Sequence, residues 1–516
     1  SIFASNIGSE HLIGLAGAGA SSGMAMAHWE IQGWMILILG WVFVPFYSRS
    51  MVYTMPEFLE RRYNPQSRTI LSVISLVSYV LTKVAVTVYA GGLVFQQVFG
   101  IKELWGIDFF WIAAIGLVVL TALYTIFGGM KSVLYTSVLQ TPILLLGSLI
   151  ILVLGFKELG GWDEMMRVCG AVTVNDYGDT MTNLIRSNDD ANFPWLGALI
   201  GSAIIGFWYW CTDQFIVQRV LSGKNEKEAR RGTIFGAYLK LLPVFLFLIP
   251  GMIAFALHQK YIGAGGEGFL PMLTNGTANA DAAFPTLVAK LLPAGVKGLV
   301  VCGILAALMS SLASLFNSSA MLFTIDFYKR FRPETPEKKL VGIGQIATVV
   351  IVILGILWIP IMRSVGDVLY TYLQDVQSVL APGIAAAFLL GICWKRTSAQ
   401  GGMWGLIAGM IIGLTRLGAK VYYSNAGEVA DSTFKYLFYD MNWLFFCGWM
   451  FLFCIIVVIV VSLATEAPTA EKIQGLVFGT ATKEQKAATR ASWDHWDIIH
   501  TVIILAITGA FYWYFW

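Results

Sequence analysis

The chain has 516 residues, of which 57% are hydrophobic and only 13% charged, with a mean hydropathy of +0.70. A water-soluble protein of that composition would expose far more apolar surface than its core could absorb, so a soluble globular fold is excluded. The net charge of +3 is spread over many loops with no basic patch, which speaks against a nucleic-acid partner.

Apolar stretches of about twenty residues recur along the chain, each long enough to cross the hydrocarbon and too long for a barrel strand. Thirteen are expected, at 1–27, 31–48, 70–98, 107–128, 134–156, 193–219 and 232–258, then 284–328, 340–362, 366–393, 402–418, 441–464 and 498–516. The stretch 284–328 is too long for one crossing, and Pro293 with Gly295 should divide it into a surface helix and a span. The chain starts at Ser1, without an initiator methionine, inside a segment that carries polar groups, so upstream residues are expected.

Loop charge sets the orientation. Arg49, Arg61, Arg62 and Arg68 follow the second segment, and Arg219, Lys224, Lys227, Arg230 and Arg231 close or follow the sixth. Lys329, Arg330, Arg332, Lys338 and Lys339 follow the eighth, and Lys395 with Arg396 the tenth. With thirteen crossings all of these share one side, the cytoplasm, and the acidic loop 157–192 lies opposite. The long loops at 157–192, 259–283, 419–440 and 465–497 are too short and polar for cores of their own, so one membrane domain is expected. Five cysteines, Cys211, Cys302, Cys393, Cys447 and Cys454, sit in or beside spans as packing groups, and Cys169 stands alone in a loop. Neither a disulfide framework nor a CxxC metal pattern arises.

Polar groups inside spans are expensive and mark function. The first segment carries Asn6, Ser9, Glu10 and His11 around Gly8. Its Gly/Ser/Ala run fits close helix packing; the polar cluster fits an unwound stretch whose carbonyls become ligands. Ser310 and Ser311 follow Ala307 in the eighth segment, where hydroxyls either bond back to their own helix or, with free carbonyls nearby, suit a monovalent cation. Glu30, Lys240, Gln374 and the run Phe207-Trp208-Tyr209-Trp210 supply the polar and flat aromatic groups that bind sugars, while the aromatics alone would also fit an interfacial belt. Asp213 and Arg219 are expected to pair structurally. Lys83 and Asp375 have no assignment, and His28, His258, His495 and His500 are placed at interfaces or in loops.

The stretches ASNIGSEHLIGLAGAGA, YTMPEFLERRY, WYWCTDQFIVQRVLS, YLKLLPVF and LMSSLASLFNSSAMLFTIDFY resemble the sodium/glucose cotransporter branch of the solute:sodium symporter family, from residue 1 to about 410. The resemblance implies an all-α polytopic membrane protein with a LeuT-like five-plus-five inverted repeat, the repeats at 1–156 and 193–393, and three peripheral helices over 402–516. It implies sodium as the co-transported ion, held by carbonyls of Ala4, Ile7 and Ala307 and hydroxyls of Ser310 and Ser311. Sugar contacts fall on His11, Glu30, Tyr209, Trp210, Lys240 and Gln374, with Tyr209 as an inner gate bonded to Asn6 and an outer gate of Leu15, Trp29 and Tyr370. Members with a second sodium site carry an aspartate and a hydroxyl where this chain has Ser137 and Ala313, so one sodium per substrate is expected. Gly206, where relatives have a polar residue, removes one hydroxyl contact. The implied protein is a plasma-membrane symporter importing a hexose of the glucose/galactose type; a myo-inositol symporter, or a sugar sensor or leak channel on the same fold, are the alternatives. An enzyme is disfavoured because no metal-ligand cluster or nucleophile–base pair falls in the spans.

Overall fold

The structure is a computed structural model that describes residues 3, 6–8, 10–273, 276–365, 369–425 and 430–516, and leaves aside the side chains of 124, 126–141 and 362–365. Among the described residues, eleven helical stretches are long and apolar enough to cross a membrane, and Phe109–Leu123 is a shorter apolar one. The first stretch, Glu10–Ser50, takes in residues 10–27 of the first expected segment and all of the second, parted by a break at Ile31–Gln32 between the helices Ala27–Glu30 and Gly33–Ile38.

The expected division of 284–328 is present. Ala283–Leu291 is a separate helix, Leu292 and Pro293 turn the chain, and a new helix runs over Ala294–Met321. Proline fixes its own φ and lacks an N–H, so it tolerates the entry to a helix but not its interior. The fourth and fifth segments differ from expectation. Helical hydrogen bonding continues unbroken over Phe109–Leu159, 51 residues. The Gly-Gly step at 128–129 between the two expected segments does not part them: glycine inside a helix costs only about 1 kcal/mol, and neither proline nor a capping side chain follows at once.

Burial sorts the helices. The most apolar stretch of Glu226–Gly263 and that of Leu369–Cys393 are each 83% buried, whereas His495–Tyr514 is 17% buried and faces outward. The inner helices are irregular. Wide, π-type turns interrupt them at Glu10–Leu15, Tyr79–Val84, Phe207–Thr212 and Val244–Leu248. Such turns are rare and cluster at functional sites.

The loops do more than connect. The acidic loop packs onto the first segment, with Met24 N–H donating to the Met181 carbonyl at 2.8 Å and Arg186 donating to the Ser22 carbonyl. On the basic side, Arg62 is 1% exposed and donates to the Gly391 carbonyl at 2.6 Å and the Thr397 carbonyl at 3.1 Å, which ties it to the end of Leu369–Cys393. His28 is not interfacial. It is buried, 2.9 Å from the Tyr512 hydroxyl and 3.0 Å from the Leu184 carbonyl, which locks the acidic loop and the last helix to the first segment. All six cysteines are free.

Candidate functional site

Four helix irregularities meet at one point. His11 lies on the wide turn that follows an unwound stretch at Ile7–Gly8, and Glu30 is the last residue before the break at Ile31–Gln32. Tyr209 and Trp210 sit on the wide turn Phe207–Thr212, and Lys240 closes the helix Glu226–Lys240 just before Pro243. A fifth element adds Tyr370, Gln374 and Gln377, whose i, i+4, i+7 spacing puts them on one face of Leu369–Cys393. A wide turn releases backbone from the regular ladder and re-aims the side chains around it, so the local disorder of hydrogen bonding is what lets them converge.

Glu30 is the hub. It is fully buried, and its carboxylate accepts from Lys240 Nζ at 2.6 Å and from the Tyr370 hydroxyl at 2.7 Å, with His11 Nε2 at 3.2 Å. A carboxylate accepts, so His11 Nε2 carries the proton, and Nδ1 is left without a partner. Lys240 Nζ also stands 5.4 Å from the Trp210 ring centre. Asn6 Nδ2 donates to the Tyr209 hydroxyl at 3.2 Å.

Buried polar atoms normally find partners. Here Asn6 Oδ1, His11 Nδ1, Trp29 Nε1 and Gln374 Oε1 are buried and have none. All four side chains line one central cavity, together with Glu10, Glu30, Gln32, Tyr209, Trp210, Lys240 and Gln377. Each orphaned group costs about 1–3 kcal/mol, so four around one space suit a ligand with several hydrogen-bonding groups. The cavity is about 30 Å³, room for water rather than a sugar. Trp29, Tyr370 and Tyr209, which line this cavity, are all buried. Trp29 stacks on Trp443 with ring centres 5.4 Å apart. Leu15 is buried but does not line the cavity.

The ion candidates lie beside this cluster. Gly8, in the unwound stretch, packs so tightly on the serine helix that a Cβ there would collide with the Ser311 hydroxyl. Ser311 Oγ is buried without a partner; Ala307 and Ser310 on the same helix, and Ile7 next to Gly8, are also buried. The Ser310 carbonyl accepts from Ser314 Oγ at 2.7 Å. Ala4 and the Ser137 side chain lie outside the described residues; Ala313 is fully buried. Among the described residues no group of three or more His, Cys, Asp or Glu could hold a metal.

The expected Asp213–Arg219 pair is not formed. Six residues apart on a helix, the two side chains point to different faces. Asp213 instead pairs with Lys83 Nζ at 2.5 Å and accepts from the Tyr79 hydroxyl at 2.9 Å, and Arg219 donates to the Ser314 hydroxyl. Lys83 lies 5.0 Å from the Tyr209 ring centre, directly against one side of the cluster. Asp375 pairs with Lys420. Outside the spans, Asp281 in the turn Ala280–Ala282 accepts from Leu369 N–H at 3.2 and 3.3 Å, and burial pushes its carboxyl up to about 7 against the pull of that bond.

Gln32 and Gln377 were missed in the sequence. Gln377 repeats Gln374 one turn on, and Gln32 follows Glu30 in an otherwise apolar run, so both carried a visible signal.

The model of the sodium:solute symporter family matches residues 1–409. The human (Homo sapiens) sodium/myo-inositol cotransporter 2 is 36% identical over 493 residues, covering 93% of this chain and 72% of that protein. The sheep (Ovis aries) sodium/glucose cotransporter 1 is 38% identical over 484 residues, covering 90% and 72%. Among solved structures, a substrate-bound, outward-open sodium-coupled sialic acid symporter matches with a TM-score of 0.66 at 20% identity, over 91% of this chain and 89% of that one, a likeness of fold.

Proposed function

The chain belongs to the sodium:solute symporter family, and from that premise we propose that it is a plasma-membrane symporter that imports a hexose or the cyclitol myo-inositol with one sodium ion. The observation that carries the substrate class is the ring of four partnerless polar atoms around the Glu30 hub. A ligand bearing a hydroxyl on nearly every carbon satisfies them all; an apolar or singly charged one leaves most of them orphaned. The names of the similar proteins include both a myo-inositol and a glucose cotransporter, and the site chemistry suits either.

Sodium takes the Ser311 hydroxyl, the Ser310 hydroxyl and the carbonyls of Ala4, Ile7 and Ala307. Neutral oxygens hold a monovalent ion without a full counter-charge, which keeps release easy in each cycle. The ion bridges the unwound start of the first repeat, 1–156, and the serine helix of the second, 193–393, so its binding fixes their relative position. Sodium and sugar favour the same arrangement, and each raises the other's affinity by an equal factor. Trp29 and Tyr370, with Leu15 behind them, close the outer side; Tyr209, held by Asn6, closes the inner side. One sodium moving through about 100 mV and a tenfold gradient supplies roughly 2.3 plus 1.4 kcal/mol, enough for accumulation of several hundred fold.

Proteoliposome uptake tests this. Labelled glucose, galactose and myo-inositol are offered with and without an inward sodium gradient, and current is measured alongside flux. Concentrative uptake only with sodium, at one charge per substrate, is the expected result. Uptake unchanged without sodium excludes coupling, and a charge ratio near two excludes the single ion.

A further inference from the structure

Gly206 stands one turn before Tyr209, where the sequence comparison registers only a lost hydroxyl. The space is not empty. Gln32, 2% exposed in the break after Glu30, donates from Nε2 to the Ser202 carbonyl at 2.7 Å. A carbonyl can only accept, so the amide's NH₂ end is committed to Ser202 and its oxygen end is turned away from it. Gln32 Oε1 lies where a Cβ on residue 206 would have to sit; such a Cβ would collide with it and stand 2.9 Å from Cδ. Among the described residues this oxygen accepts no hydrogen bond. Gln32 and Gly206 both line the central cavity, with Glu30 two residues before one and Tyr209 three after the other.

We propose that Gln32 is a specificity-determining residue of the sugar site, its Oε1 accepting a hydrogen bond from one ring hydroxyl of the bound hexose or cyclitol, and that the bare backbone of Gly206 is what lets it lie there. The inference rests on the proposed function and deepens it. An amide pinned through its nitrogen cannot turn over to offer a donor. It therefore selects a substrate with an O–H at that ring position, and it rejects one with hydrogen or an ether oxygen there, because an acceptor that the bound ligand covers without matching loses its water without a replacement. Glycine at 206 then trades a contact from one helix for a contact from another: the residue-206 side chain of relatives and the Gln32 amide need the same volume.

The experiment is a cycle between protein variants and monodeoxy analogues of whichever polyol the wild type transports, scored as kcat/KM for sodium-driven uptake into proteoliposomes. For the wild type, removing one particular hydroxyl is expected to cost about 3- to 10-fold. Gln32→Leu should lose a similar factor on the parent substrate and lose nothing more on that one analogue, while the other analogues keep their wild-type penalties. Gly206→Ala should reproduce this pattern by displacing the amide, and Gln32→Ala with Gly206→Ser should recover part of the parent rate. Gln32→Glu keeps the acceptor but has no N–H for Ser202, and should retain discrimination at reduced turnover. If Gln32→Leu and Gly206→Ala scale every analogue by one common factor, or leave all of them unchanged, Gln32 only packs and the assignment is wrong. The unfolding temperature of each variant in detergent without sugar, which a loss of fold would lower and a lost sugar contact would not, separates misfolding from selectivity. A wild type that transports no polyol with sodium would bring down the proposed function itself, and this inference with it.

Discussion

The helices Glu226–Gly263 and Trp443–Ala464 are both apolar enough to span a membrane, yet they obey opposite rules. The first is 83% buried over its most apolar stretch, is broken at Leu241, widens over Val244–Leu248 and carries Lys240. The second is 33% buried, runs as 22 residues of regular α-helix and has no charged residue. Lipid offers no hydrogen bonds, so a helix facing it must satisfy every backbone group itself. A helix wrapped by protein is released from that demand, and its irregular turns can present side chains and carbonyls to a ligand. Where protein covers a helix, such irregular turns can build a site, and the candidate site lies among them.

The comparison is broken hardest at Glu30. Glu30→Gln leaves Lys240 buried without its counter-charge, a loss of about 3–5 kcal/mol by analogy with other split buried pairs, and should abolish uptake and sharply lower the unfolding temperature in detergent. Glu30→Gln with Lys240→Met should restore much of the stability and none of the transport; recovery of both would show the hub to be structural only. Gly8→Ala comes next, because its Cβ must push the Ser311 hydroxyl aside. The sodium KM is expected to rise about tenfold or more, roughly 1.4 kcal/mol, with a smaller effect on stability.

A gentler change acts at the edge of the site. Asp281 has its carboxyl raised to about 7 in the fold, so the native state holds a proton that the unfolded chain releases near its ordinary value. Its favourable contribution is present below about 4 and is lost as pH rises through about 7. Asp281→Asn keeps an oxygen for Leu369 N–H and removes the titration, so its unfolding midpoint should vary less between pH 5 and 8 than the wild type's, by a few degrees at most. The smallest effect belongs to the outer helix: Val460→Ala, at a 58% exposed position, should change stability by less than about 0.5 kcal/mol and leave uptake unaltered. A large loss of uptake there would undo the contrast between inner and outer helices.

Much of the fold was legible because the membrane makes composition informative. Most of the spans, the division at Pro293 and the polar break around Gly8 could be located from residue type alone. Glu30, Lys240 and Gln374 stood out because a charge or amide in an apolar run is costly to ignore. What failed depends on facing, which a linear pattern does not carry. Asp213 and Arg219 share a short stretch but not a helix face, and Lys83, left without a role, is the true partner from a distant helix. The volume shared by Gln32 and Gly206 is a fact about two helices crossing, invisible in either one. The unbroken Phe109–Leu159 differs from the two expected segments 107–128 and 134–156 for a different reason: a dip in apolar character between two stretches does not by itself end a helix.

The wide turns carry a consequence for how such a chain can change over time. A π-type turn holds one more residue than an α-turn, and each residue of a helix adds about 100° of rotation. Deleting a single residue from Phe207–Thr212 would let that turn relax to ordinary helix with the chain beyond it still in phase, because the wide turn absorbs its extra residue; what changes is the aim of the side chains on the turn itself, Tyr209 and Trp210 among them. A substitution there alters one contact, whereas a one-residue deletion re-indexes the turn that faces the cavity and spares the fold around it.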